Sequence, residues 1–196
     1  MKIHNLQSLY FGKTLYGKCN VRRGRSYLPC KIYRLDERKD INYFEEMKNH
    51  YEWKDNNYIK FVEADLPFAI RSPETNVFVM EDKNSNCLAY SEITNFHNNI
   101  SLDVLEVNPK YTNEKSNSKI TYIGETFLAF LACFAIKTNK DKIESLAEDS
   151  AYDFYTKKCF FSPKNETDDM NVVLSKRQFY KLISKNKKHT NNNFLV

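Results

Sequence analysis

Three short apolar runs crowd the middle of the chain: NVFVMED at 76–82, CLAYSEI at 87–93 and ISLDVLEVNP at 100–109. The first two flank the polar turn DKNSN, a hairpin signature that lacks glycine, and the third is closed by Pro109. Together they predict an antiparallel meander. Upstream, LPCKIYRL at 28–35 resembles a strand, and Ile41, Phe44, Met47 and Tyr51 recur at spacings of three and four. That period predicts an amphipathic helix, capped by Asp40. YIKFVEADLPFAIRS at 58–72 predicts a second helical segment that ends near Pro67 or Pro73. Downstream of the meander, a polar loop at 110–121 leads into the apolar run ETFLAFLACFAIK at 125–137. KIESLAED at 142–149 then reads as a strand, and SAYDFYTKKC at 150–159 as a short helix capped by Ser150. MNVVLSK at 170–176 is a late strand and KRQFYKLIS at 176–184 is helical. The pattern is that of an α+β chain: a central mixed, mostly antiparallel sheet flanked by helices.

At 196 residues the chain fits one domain with a real core. Residues 1–27 read neither as helix nor as strand and are expected to be a basic N-terminal extension. Residues 28–185 form the body, and 186–196 a mobile basic tail. The longest apolar stretch, 127–136, is too short to cross a bilayer. The first residues lack the apolar core and cleavage site of a secretory signal. Five cysteines, odd in number and widely spaced, show no CxxC pair, so free thiols in the cytoplasm are expected. The four histidines lack metal-ligand spacing, and no metal is expected.

Charge changes the picture more than composition does. The net charge of +5 hides an asymmetry: no Asp or Glu precedes Asp36 and none follows Asp169, while both ends are rich in Lys and Arg. Either the ends dock on the acidic middle, or they form a basic surface for nucleic acid, anionic lipid or an acidic partner. The N-terminal stretch YFGKTLYGKCNVRRGRSY interleaves Tyr and Phe with Lys and Arg. That mixture suits either structural packing or stacking and phosphate contacts with RNA.

Gly124 follows Gly24 with no glycine between them, and it sits where the polar loop enters the long helix. A glycine there permits close approach to a helix start, where unpaired N–H groups point outward and favour an anion. The alternative is that Gly124 relieves packing of the helix against the sheet.

Three stretches resemble the GCN5-related N-acetyltransferase superfamily over residues 77–162. LEVNPKY is similar to the end of the family's fourth strand, with its Val-x-Pro-x-Tyr. TYIGETFLAFLACFA resembles the Gln/Arg-x-x-Gly-x-Gly/Ala turn and third helix. EDSAYDFYTKKCFF resembles Asn-x-x-Ala-x-x-x-Tyr-x-Lys-x-Gly-Phe, with Ala151, Tyr155, Lys157 and Phe160 in register. Four positions depart from the pattern: Thr121, Thr126, Glu148 and Cys159. Glu125 adds a carboxylate beside the expected pyrophosphate, where it repels unless it turns to solvent or caps the helix.

The resemblance implies acetyl transfer from acetyl-CoA to an amine by direct attack. It implies that backbone groups of Tyr122, Ile123, Gly124, Glu125 and Thr126 hold the coenzyme A pyrophosphate, where the helix dipole contributes about 0.3–1 kcal/mol. Lys110, Lys115 and Lys119 are either solvated or near its phosphates. Leu105 and Val107, at the strand end, are implied to line the cofactor, with the Val107 N–H facing the acyl oxygen. Tyr155 is implied to protonate the leaving thiolate. For the base, Glu106 is taken first. Asp103, three residues away and therefore expected on the opposite face, Glu92 and a chain of waters are the alternatives. Cys133, inside the apolar helix, is expected in the core, which argues against an acyl-cysteine step. The acceptor stays open among a polyamine or other small amine, a protein lysine or N-terminus, and an aminoacyl-tRNA. A homodimer is compatible with the sequence. The other class of function is a binding module on a degenerate acetyltransferase fold, with basic ends for nucleic acid or an acidic partner.

Overall fold

The computed structural model describes residues 13–35, 68–112, 119–165 and 168–190. The predicted helix at 40–53 lies outside them, as do Lys115 and most of the segment at 58–72. The described part of that segment is a turn in which the N–H groups of Arg71 and Ser72 donate to Phe68 O.

Among the described residues nine strands make one sheet: β1 (Thr14–Arg23), β2 (Ser26–Leu35), β3 (Thr75–Asp82), β4 (Cys87–Asn95), β5 (Asn99–Val107), β6 (Ile120–Thr121), β7 (Lys142–Leu146), β8 (Ser162–Asn165) and β9 (Asp168–Ser175). Their order across the sheet is β6-β1-β2-β3-β4-β5-β7-β9-β8. Every pairing is antiparallel except β5 with β7. The helices are α1 (Pro109–Thr112), α2 (Ile123–Lys137), α3 (Asp149–Asp153), α4 (Lys176–Lys185) and α5 (Lys187–Thr190). A π-helical turn, Phe154–Lys158, continues α3.

The meander forms as the sequence predicts. The β3–β4 turn manages without glycine because the Asp82 carboxylate accepts from the N–H groups of Asn84 and Asn86, both at 2.9 Å, while Ser85 takes the left-handed conformation at φ 62°. α2 is buried along nearly its whole surface, as expected of a helix apolar all round. Phe130 and Phe134 pack edge-on against Phe78 of β3, with ring centroids 5.1 and 5.3 Å apart. Such pairs add about 0.5–1.5 kcal/mol beyond burial of their area.

Three boundaries differ from the sequence reading. Residues 14–27, set apart there as an extension, form β1 and its hairpin with β2. Gly17, Cys19 and Val21 alternate inward, while Lys18 between them and Arg22 and Arg23 beyond them face out. Part of the tail, 187–190, is helical, and His189 within it is buried. The helix after β7 begins at Asp149 behind Glu148, not behind Ser150, because the chain leaves β7 extended as far as Glu148 (ψ 153°) and turns helical at Asp149.

The charge asymmetry resolves in two parts. Lys13 meets Glu81 at 2.6 Å, Lys176 meets Asp141 at 3.8 Å and Lys185 meets Glu125 at 3.1 Å, so each end docks partly on the acidic middle. The hairpin cations Lys18, Arg22, Arg23, Arg25 and Lys31 remain exposed.

Candidate active site

The parallel pairing of β5 with β7 runs only from Asn99–Lys142 to Leu102–Ser145. β5 continues to Val107 while β7 ends at Leu146, so the two strands part. Ser145 marks that point and donates its hydroxyl to Leu102 O at 3.0 Å. Beyond it, one edge of β5 has lost its neighbour. The Asn108 N–H donates toward β4, to Leu88 O at 2.9 Å. Successive strand N–H groups alternate between edges, so those of Leu105 and Val107 point the other way, into the gap.

The start of α2 closes one end of this gap. Tyr122 precedes the helix in the left-handed conformation (φ 67°, ψ 15°), and no side chain caps the first turn. A bulky residue at positive φ is uncommon, and such strain gathers at functional sites. The turn it creates leaves the early N–H groups of α2 free of side-chain acceptors, a concave backbone suited to an anion. At Gly124, a Cβ would stand 2.9 Å from Phe154 Cζ and 3.6 Å from Val107 Cγ2. The glycine thus lets the helix start, the end of β5 and the π-helical turn converge.

Glu125 neither turns to solvent nor caps the helix: it is buried and turned toward α4, where Lys185 balances its charge at 3.1 Å. The carboxylate therefore answers to a lysine of its own chain. Lys185→Met is expected to lower stability by about 1–2 kcal/mol, below the cost of breaking a fully buried pair because the lysine is more than a third exposed. Adding Glu125→Gln should restore most of it; chemical denaturation of the three variants is the check. On the other side of the turn, Tyr122 stacks on His189 at 4.5 Å, and Tyr27 meets the same imidazole edge-on at 5.8 Å.

Tyr155 lies on the π-helical turn, a geometry that recurs at functional sites. It is 7% exposed and packs edge-on against Phe154 and Phe161. Burial pushes its phenol up to about 12, opposed by the Ser145 hydroxyl and assisted by the charges of Cys159, Glu106 and Glu148. Glu106 is thus close enough for its field to act on Tyr155, and burial raises Glu106 above the usual carboxylate range.

One expectation fails. Asp103 does not face away from Glu106, because β5 carries a bulge: Glu92 pairs with Val104 and Ile93 with Leu102, leaving Asp103 as the extra residue. Its carboxylate accepts from Thr94 at 2.7 Å and Ser101 at 2.6 Å. Thr94 shares a face with Glu92 and Tyr90, and Tyr90 lies opposite Glu106. Glu92, Asp103 and Glu106 therefore share one acidic face. Cys133 is half-buried, and burial raises its thiol to about 11, so it is not a ready thiolate. Cys159 has an ordinary φ of −111°; the left-handed residue is Phe160 at φ 65°, so no glycine is needed at 159. Among the described residues no cluster of three or more metal-binding side chains occurs.

No family model and no curated protein matches the sequence. Solved structures do match the fold. A chimera of the Vibrio cholerae spermidine N-acetyltransferase SpeG and hSSAT is 13% identical over 77% of this chain and 98% of its own, with a TM-score of 0.54. The PaiA N-acetyltransferase of Thermoplasma acidophilum, solved with coenzyme A, is 19% identical over 74% and 96%, at 0.51. An uncharacterised Bacillus halodurans protein is 14% identical over 89% and 98%, at 0.53. The chain has the GCN5-related N-acetyltransferase fold. Within that fold, four contributors escaped the sequence reading: Ser145, Phe154, Lys185 and His189. Only Ser145 carried a signal, as a hydroxyl at a core-facing position between Ile143 and Ala147.

Proposed function

We propose that the protein is an acyl-CoA-dependent N-acetyltransferase that passes an acetyl group from acetyl-CoA directly to an amine. The observation that carries this is the meeting, at the gap between β5 and β7, of two inward N–H groups, an uncapped helix start and a buried tyrosine. The backbone of Tyr122 to Thr126 holds the pyrophosphate. Leu105 and Val107 line the pantetheine arm, and the Val107 N–H stabilises the oxyanion. Tyr155, fully protonated at neutral pH, supplies a proton to the departing thiolate. Glu106 takes the proton of the attacking amine, and the shared face with Glu92 and Asp103 favours a cationic acceptor such as a polyamine or a lysine side chain.

A second reading keeps the fold and drops the chemistry, leaving a binding module; the Phe154 ring packed against Gly124 supports it. One pair of assays separates the two: melting with acetyl-CoA, and release of free thiol in the presence of an amine panel. At a hundred times Kd, ligand adds about 2.7 kcal/mol, roughly 5–10 °C for a chain of this size. A binding module shows neither response.

The pH profile follows from Glu106. A base must be deprotonated, and this carboxyl is raised, so the acid limb of kcat/KM is displaced upward from the ordinary carboxylate range. Glu106→Gln is expected to remove that limb. The same variant should stabilise the fold near neutral pH. A carboxyl raised in the folded state favours folding only while it is protonated, and that advantage is lost as pH rises through the folded pKa. Melting at pH 5 and pH 8 reads the second effect independently of activity.

A further inference from the structure

The two acid-free ends of the chain meet in space. Tyr27 of the hairpin and His189 of α5 are in ring contact, and both border the turn at Tyr122. The hairpin brings Lys18, Arg22, Arg23, Arg25 and Lys31, all exposed, and α5 adds Lys187 and Lys188. Among the described residues no carboxylate pairs with Arg22, Arg23, Arg25 or Lys188. Tyr27, lying opposite Arg22, is 53% exposed amid these cations. Lys18 stands directly opposite Lys31 on the outward face, an arrangement that destabilises a strand pair. On its other side Lys31 lies opposite Glu81 of β3, whose carboxylate Lys13 holds at 2.6 Å, whereas Arg22, Arg23 and Arg25 meet no carboxylate among the described residues.

From this we infer that the β1–β2 hairpin and α5 form a docking surface for single-stranded nucleic acid. Guanidinium groups match phosphate geometry with paired hydrogen bonds, and an exposed tyrosine offers a face on which a base stacks. An acidic protein would satisfy the charge but would leave the aromatic without a role. The surface adjoins the turn at Tyr122, so its test contains no acetyl-CoA.

Fluorescence anisotropy with labelled, unstructured RNA and DNA of about 20 nucleotides, across about 50–200 mM salt, reads it. Binding of either strand with a steep salt slope is expected. Arg22→Gln, Arg23→Gln and Arg25→Gln together should flatten the slope by about 2, at about 0.7 for each phosphate left without its cation. Tyr27→Ala should weaken binding about tenfold with the slope unchanged. Lys18→Glu gives a control against misfolding: facing Lys31 across the strand pair, it should raise the melting temperature by replacing the like-charge pair, while weakening binding. The inference is overturned by absence of saturable binding at low salt, by a slope that the triple variant leaves intact, or by binding of a polyglutamate peptide as tightly as RNA with Tyr27→Ala without effect.

Discussion

Tyr155→Phe is expected to lower turnover by about 10²–10⁴-fold while leaving acetyl-CoA binding near that of the parent, because general acid catalysis contributes on that order. The ring keeps its packing, because its edge-on contacts with Phe154 and Phe161 are between rings and persist without the hydroxyl. Only the interactions at the oxygen are removed, chiefly the influence of the nearby Ser145 hydroxyl. Melting should therefore change little, and thiol release should collapse. The defect should be in kcat, since the proton is needed as the thiolate departs. An unchanged rate with every amine tested would remove Tyr155 from the mechanism and strengthen the binding-module reading.

The second large effect concerns Gly124. Gly124→Trp is expected to abolish the acetyl-CoA response in melting, because the space beyond the Cα is already taken by Phe154 and Val107. An indole there must push the π-helical turn away and cover the first turn of α2. Gly124→Ala is the gentler probe. Its methyl group meets the tip of one ring, so Phe154 must swing, at a cost of about 1–3 kcal/mol. Pairing it with Phe154→Leu should return part of that stability, and the size of the return measures the contact. A Gly124→Ala protein that melts like the parent and binds acetyl-CoA as well would show that the close approach is not limiting.

Much of this could be read in advance where residues act locally. The meander, the apolar helix and the late strand and helix all follow from runs of suitable period, and the turn at Gly124 follows from one glycine in a chain poor in them. The edges were harder. β1 alternates Gly17, Cys19 and Val21 inward, but its charged positions resemble a solvated extension. β6 is two residues held by pairing with Arg22 and Arg23, and β8 is four residues with a proline. Such strands exist because a neighbour binds them. The bulge at Asp103 is equally silent: it depends on the register between β4 and β5, and it reverses the facing of a carboxylate that counting by twos puts elsewhere. The pairing of Glu125 with Lys185 joins elements whose proximity only the folded chain establishes.

That last pairing has a consequence for how the protein is made. The turn ahead of α2 draws on both ends of the chain: Thr121 pairs with Arg22 of β1, while Lys185 and His189 close on it from beyond β9. During synthesis the hairpin leaves the ribosome early, but Glu125 has no counter-charge until Lys185 emerges. A nascent chain stalled before that residue can hold the meander of β3 to β5 and still lack a completed turn. The candidate cofactor site is therefore among the last parts of the molecule to mature, and premature termination late in the message removes it while sparing most of the sheet.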